Sequence, residues 1–214
     1  MEQTVKEIAE ALIKGQAPLV KELVETCLNN GVIPQEILSE GLIAGMSVIG
    51  RRFKADEIFL PEVMIAARAM NAGLEILDPV LSKTGAKPRG KIVLGTVKGD
   101  LHDVGKNLVS MIFRGAGFKV IDLGIDVPEG NFVDAVQENH PDILGLSALL
   151  TMTLPMMKTA IEAVDAAGLK DEVAIMVGGA PVTQGFADEI GAHGYAPDAA
   201  TAVDRAIELM AAKG

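Results

Sequence analysis

From residue 91 onward the chain alternates short β-branched apolar runs with helical patterns, and this alternation restricts its fold more than any other feature. The runs at 91–97, 119–123, 143–147 and 173–177 are predominantly apolar, and a short fifth lies at 194–196. Strands that are apolar on both faces must be covered on both faces, which describes a parallel sheet with crossover helices. Helical patterns fall between them at about 104–115, 129–139, 154–168, 182–190 and 198–212. Five strands in this stretch predict the flavodoxin-like doubly wound order, an architecture that gathers its ligand-binding loops at the carboxyl ends of the strands.

The first third has a different period. Val5, Ile8, Ala9, Leu12 and Ile13 form an i, i+3, i+4 stripe that Gly15 closes. Pro18 opens a second helix at a first-turn position, with Leu19, Val20, Leu23, Val24, Cys27 and Leu28 apolar, and Asn29-Asn30-Gly31 ends it. A third starts at Pro34 and runs toward Ile49. A fourth begins near Pro61 and continues to about Leu81, keeping Leu60, Val63, Ala67, Met70, Leu74 and Leu77 at near-heptad spacing. Four helices with short connections predict a small antiparallel bundle. Met64, Ile65 and Ile76 lie off the stripe of the fourth helix, as surface for packing on a neighbour or for covering a ligand. From Ser82 to Gly90 the periodicity breaks in Gly, Pro and Lys. The expected organisation is a helical domain over 1–84, a linker over 85–90 and an α/β domain over 91–214.

Composition narrows the function. Apolar residues make up 49% of the chain, but aromatics only 3% and Trp is absent, so the core is built from aliphatic residues and ten Met. A net charge of −10 without a Lys/Arg cluster excludes a nucleic-acid surface, which needs concentrated positive charge. Cys27 is the only cysteine, so intrachain disulfides and cysteine metal clusters are excluded. The start, Met1-Glu2-Gln3-Thr4, has neither a basic region nor an apolar signal core, and the longest near-apolar run, 41–50, is too short to span a bilayer. A cytoplasmic setting is the expectation.

Directly after the first strand run stands Lys98-Gly99-Asp100-Leu101-His102-Asp103-Val104-Gly105-Lys106-Asn107. An imidazole two residues from a carboxylate, on such a loop, can present Nε2 to a metal while the carboxylate holds Nδ1–H. Gly105 removes a side chain where the backbone would have to approach a ligand closely. The alternative is a helix-capping Asp100 and a solvent-facing His102. Two other carboxyl-end loops carry Ser147, Leu149, Thr151 and Thr153, and Gly178-Gly179. Taken singly, the hydroxyls read as helix caps and the glycines as a turn; together they fall on the edge that carries His102. No Gly-x-Gly-x-x-Gly follows the first strand and no P-loop occurs, so an ordinary dinucleotide or nucleoside triphosphate is not expected.

Asp100-x-His102-x-x-Gly105, then Ser147-x-Leu149 and Gly178-Gly179, resembles in order and approximate spacing the three-part fingerprint of the cobalamin (vitamin B12)-binding domain family. The helices ahead of it are similar to the cap module of methylcobalamin-carrying proteins. The resemblance therefore covers nearly the whole chain, to the corrinoid methyl-carrier proteins of methyltransferase systems and the cobalamin-binding region of methionine synthase. It implies a four-helix cap followed by a Rossmann-like domain that binds cobalamin or a related corrinoid. His102 would be the lower cobalt ligand, in the base-off, His-on form. Asp100 would bond His102, and the hydroxyl of Thr153, where methionine synthases often have Ser, would extend that relay. The detached nucleotide tail would pass Ser147, Leu149 and Thr151, with room made by Gly178 and Gly179. Asp103, which also suits a helix start, and Gly105 would be further neighbours of the cofactor, and Phe53, Leu60 and Val63 stand at the cap positions over the methyl face.

The function so implied is that of a carrier with no catalytic residue of its own. It would accept a methyl group from a substrate-specific methyltransferase and pass it to a second one that uses a tetrahydrofolate, tetrahydropterin or thiol acceptor. A separate reductive activase is expected, because no reactivation domain follows Gly214. Proton uptake by the Asp100–His102 pair would favour release of the histidine. One rival is a cobalamin-binding regulatory or sensor protein, against which stands the lack of a basic recognition helix. A mutase subunit using adenosylcobalamin is disfavoured by Phe53, Leu60 and Val63, which leave no space for an adenosyl group. A cofactor-free flavodoxin-like protein is the third.

Overall fold

The computed structural model describes residues 2–84 and 88–213. Two compact units divide the chain, Met1–Arg89 with Arg114–Gly117, and Gly90–Phe113 with Phe118–Gly214. Residues 85–87 of the expected linker lie outside the described residues.

The first unit is helical, with α1 over Glu2–Ile13 and α2 over Ala17–Asn29. α2 has proline in its first turn, where the missing N–H costs nothing. The longest helix, α5 over Leu60–Thr84, carries Pro79 in its interior. Between α2 and α5 the expected third helix is interrupted. The short α3 (Pro34–Glu36) passes into a π-helical stretch, Ile37–Ile43, and then into α4 (Ala44–Lys54). Apolar spacing explains this departure. Ile37, Leu42, Met46 and Ile49 are all buried, and the first interval is five residues. A uniform α-helix would turn one of that first pair away from the core, whereas the wider π turn keeps both inside. Gly41 and Gly45 let the helix approach α1, because an added Cβ would stand 3.2 Å from Ile8 and 3.0 Å from the Ala9 carbonyl oxygen.

The second unit is the expected parallel sheet. Its strands are β1 (Lys91–Thr96), β2 (Lys119–Asp122), β3 (Ile143–Ser147), β4 (Ala174–Gly178) and β5 (Gly194–Tyr195), in the spatial order β2-β1-β3-β4-β5. Crossover helices α6 (Val104–Gly115), α7 (Glu129–Asn139), α8 (Leu154–Ala166) and α9 (Gln184–Glu189) connect them, and α10 (Ala199–Lys213) follows β5. The order reverses between β1 and β3, which makes the gap outside their carboxyl ends the topological switch point. Register aligns those ends, with Thr96 opposite Ser147 and Ser147 opposite Gly178. One sheet face buries Val93, Leu144 and Ile175 against Phe132, Met157 and Ile161.

Glycine within β1 has a packing cause. A Cβ at Gly95 would stand 2.6 and 2.8 Å from the ring of the fully buried Phe132. Gly95→Ala is therefore expected to cost about 1–3 kcal/mol through overpacking, read as a lower urea midpoint at unchanged slope. In a Phe132→Leu background most of that penalty should disappear, because the two positions share one space.

Candidate functional site

Asp100 is the most constrained polar residue at the switch point. Its side chain is completely buried, and both carboxylate oxygens are occupied. Oδ1 accepts the His102 backbone N–H at 3.1 Å and lies 2.7 Å from His102 Nδ1. Oδ2 accepts the N–H groups of Leu149 at 2.8 Å and Leu150 at 3.1 Å, and the hydroxyl of Thr153 at 2.7 Å. The β1 and β3 loops are thus joined through a single carboxylate. Burial pushes the Asp100 carboxyl up, but the bonds from Thr153, Leu149 and His102 outweigh it and hold the group well below the usual carboxylate range.

An ionised carboxylate can only accept, so the ring proton of a neutral His102 belongs on Nδ1 and Nε2 keeps its lone pair. Nε2 carries no hydrogen bond among the described residues, and the His102 side chain is 48% exposed. The hydroxyl of Thr96, buried at the end of β1, donates to the His102 carbonyl at 2.9 Å and fixes the peptide behind the ring. Large apolar side chains stand exposed on the same loops, with Leu101 and Val104 beside His102 and Leu149, Leu150 and Met152 after β3. A Cβ at Gly105 would meet nothing within 4 Å. Among the described residues no contact requires glycine there.

Other sequence-predicted residues take defined places. Asp103 precedes α6, where its carboxylate accepts from the Asn107 amide at 3.0 Å and its carbonyl from the Asn107 N–H at 2.7 Å. This is the helix-start role. Thr153 makes the relay contact with Asp100 rather than a cap bond to α8. Ser147 ends β3 half-buried, and Thr151 is exposed in a 3-10 turn, Thr151–Thr153. Gly179, at φ 133°, is demanded by the chain itself, since a Cβ there would lie 1.9 Å from the Ala148 carbonyl oxygen. At Gly178 a Cβ would stand 3.3 Å from the Ala196 carbonyl oxygen. In the helical unit Val63 is fully buried, whereas Phe53 and Leu60 are half-buried.

Sequence reasoning missed the roles of two residues around this loop, Lys106 and Asp126. The Lys106 ammonium, buried on α6, reaches both Asp122 oxygens at 2.7 and 2.6 Å and Asn107 Oδ1 at 2.9 Å, tying the helix start to the end of β2. Asp126 is in the left-handed region at φ 53°, and its Oδ1 accepts the Gly99 N–H at 2.6 Å. A lysine one turn into an amphipathic helix and an aspartate before Val-Pro were the available signals. Neither indicates a partner without the tertiary fold.

No group of three or more His, Cys, Asp or Glu among the described residues could hold a metal ion. One unencumbered imidazole within an apolar surface fits a metal that brings its own equatorial ligands in an organic ring, and does not fit a bare cation. A family model for the B12 binding domain matches residues 90–204, more than half of the chain. The chain belongs to the B12-binding domain family. A second B12 binding domain model matches residues 4–78, the helical part. The B12-binding chain is 44% identical over 211 residues to a dimethylamine corrinoid protein of Methanosarcina barkeri, covering 98% of this chain and 99% of that one. A corrinoid protein of Desulfitobacterium hafniense (strain Y51) is 43% identical, with 95% and 96% covered. Among solved structures, the methanol:cobalamin methyltransferase complex MtaBC from Methanosarcina barkeri aligns with a TM-score of 0.88 at 33% identity, over 98% of this chain and 80% of that chain. A cobalamin-binding protein from Desulfitobacterium hafniense DCB-2 aligns at 0.77 and 34% identity, over 96% and 98%. No helix among the described residues is long and apolar enough to cross a membrane.

The Asp100 network has a measurable consequence in the cofactor-free protein. Asp100→Ala strands the N–H groups of Leu149 and Leu150 and the Thr153 hydroxyl, and should lower stability by at least about 1.5–3 kcal/mol, the worth of one bond to a charged group. Folding lowers the Asp100 pKa, so its contribution is fully present above the unfolded value of about 3.9 and is lost as pH falls through the lower folded value. Urea midpoints measured at stepwise lower pH should fall below about pH 5 in the wild type and less steeply in Asp100→Asn.

Proposed function

We propose that this chain carries a methyl group on a bound corrinoid between two methyltransferases, with His102 as the protein's ligand to the cobalt. The observation that supports this is the bare Nε2 of a histidine whose Nδ1–H is held by a buried, multiply bonded carboxylate. When bound, the corrinoid supplies a cobalt that can hold and release a methyl group. Everything else is the work of the polypeptide. His102 offers a lone pair from a ring that Asp100 orients and makes more basic. Thr153, Leu149 and Leu150 keep Asp100 ionised and fixed. Ser147, Leu149, Thr151, Gly178 and Gly179 line the path between the loops for the nucleotide tail, while Asp103 and Gly105 flank the loop. The exposed Leu101, Leu149, Leu150 and Met152 would shield a bound corrinoid from water. Phe53, Leu60 and Val63 are the residues of the helical unit that its likeness to methylcobalamin cap modules assigns to shielding the methyl group.

The partners in this reading are a substrate-specific methyltransferase, an acceptor methyltransferase using a tetrahydrofolate, tetrahydropterin or thiol, and a reductive activase. Relatives named for dimethylamine are 43–45% identical across nearly the whole chain, and the complex named for methanol is 33% identical. The dimethylamine names among those relatives make a methylated amine the first donor to try. A cytoplasmic location accords with this chemistry.

Loading the purified protein with hydroxocobalamin and reducing it to Co(II) tests the ligand assignment by electron paramagnetic resonance. Each cobalt line should split into three from one coordinated nitrogen-14, and into two after labelling with nitrogen-15 histidine. His102→Ala should lose the splitting, and Asp100→Asn should weaken corrinoid retention about 10–100-fold. A two-line splitting that survives in His102→Ala labelled with nitrogen-15 histidine would sink the assignment, because the cofactor's own base carries only nitrogen-14. The carrier role is tested by mixing reduced, loaded protein with candidate methyltransferases and dimethylamine, trimethylamine or methanol. Failure of every pair to alter the corrinoid's visible spectrum would count against it.

A further inference from the structure

Asp100 is gripped at two places by different loops. Its carboxylate is held by the β3 loop through Leu149, Leu150 and Thr153. Its main chain is held by the β2–α7 loop, where the Asp126 N–H donates to the Asp100 carbonyl at 3.0 Å. The same Asp126 takes the preceding peptide with its side chain, accepting the Gly99 N–H on Oδ1 at 2.6 Å. Asp126 thus bonds the chain on both sides of the Gly99–Asp100 unit, through the Gly99 N–H and the Asp100 carbonyl, and Asp100 lies two residues upstream of His102.

Asp126 adopts φ 53°, the left-handed region that costs an ordinary side chain energy and that Asp and Asn tolerate best. Its neighbours keep this loop in place. The Val127 N–H donates to the Thr96 carbonyl at 2.9 Å, and the Thr96 N–H donates to the Gly124 carbonyl at 3.0 Å, so the sheet ladder runs on to the loop's edge. Lys106 and the Gly124 N–H both bond Asp122, which fixes the loop's other end. A loop so anchored can act as a stop against which the His102 loop is set.

We propose that Asp126 is a positioning residue for the cofactor-binding histidine. By holding the Gly99 N–H and the Asp100 carbonyl it keeps the Asp100 carboxylate in line with His102 Nδ1, and so keeps the ring in the tautomer that leaves Nε2 bare. This rests on the reading of His102 as a ligand for its use, but not for its geometry, which belongs to the cofactor-free chain. Substitutions at this position separate the possible contributions. Asp126→Asn retains a side-chain acceptor and the tolerance for positive φ. Asp126→Gly removes the acceptor while making the backbone conformation easy. Asp126→Ala removes the acceptor and keeps the strain.

The decisive measurement is nitrogen-15 NMR of the His102 ring in cofactor-free protein, above the ordinary imidazole range so that the ring is neutral. In the wild type the Nδ1–H form should dominate, and the same should hold in Asp126→Asn. In Asp126→Gly and Asp126→Ala the ratio of Nδ1–H to Nε2–H should fall by about tenfold, the weight of one charge-assisted hydrogen bond. Thermal melts distinguish the role from bulk stability. Asp126→Gly should melt close to the wild type and yet show the altered ratio. An unchanged ratio in Asp126→Gly overturns the proposal, even if loaded protein shows histidine ligation. A wild-type Nδ1–H ring without nitrogen splitting in the loaded Co(II) protein would instead refute the ligand reading and leave the positioning role standing.

Discussion

A single buried carboxylate joins the loops on which the site depends. Asp100 has no exposure to solvent, and it would be costly as a charge in that position if its lone pairs were not occupied. Donors from His102, Leu149, Leu150 and Thr153 occupy them. The satisfaction of Asp100 therefore also determines the distance between the β1 and β3 loops and the proton position on His102. A neutral amide, with one oxygen, could not accept on both sides as this carboxylate does. The imidazole owes its free nitrogen to this arrangement.

The parallel sheet makes such an arrangement possible. Strand order reverses between β1 and β3, so α6 and α8 leave in different directions and the loops between them stay open. Regular register brings Thr96, Ser147 and Gly178 to one level, and close backbone passage at Gly179 lets the β4 loop lie against Ala148. Exposed apolar side chains are then concentrated on loops, where a soluble domain ordinarily presents polar groups. A lone imidazole amid that surface suits a metal inside a macrocycle, and membership of the B12-binding family gives the same chemistry. The helical unit matches a B12-binding model of its own. Its π-helical stretch illustrates how an apolar spacing of five residues reshapes a helix that would otherwise run evenly.

Sequence alone determined a great deal of this protein. Apolar β runs and the helical periods between them were enough for the sheet, its parallel sense and its doubly wound order, because central strands buried on both faces leave few other solutions. α6 and α7 begin and end where their patterns do, and Asp100, His102 and Gly105 were legible as a spaced set. Tertiary structure decided the rest. The π turn followed from packing against α1, which a regular period does not report. Thr153 could have capped α8, and only the approach of two loops distant in sequence turned its hydroxyl to Asp100. Gly179 was visible as a glycine, but its reason lies in the backbone of another strand's loop. The local marks of Lys106 and Asp126 named no partner, since a hydrogen bond between segments depends on where the sheet sets their ends. Local pattern encodes which segments form and which face they bury; the partner of a polar group is chosen only when the chain has closed around it.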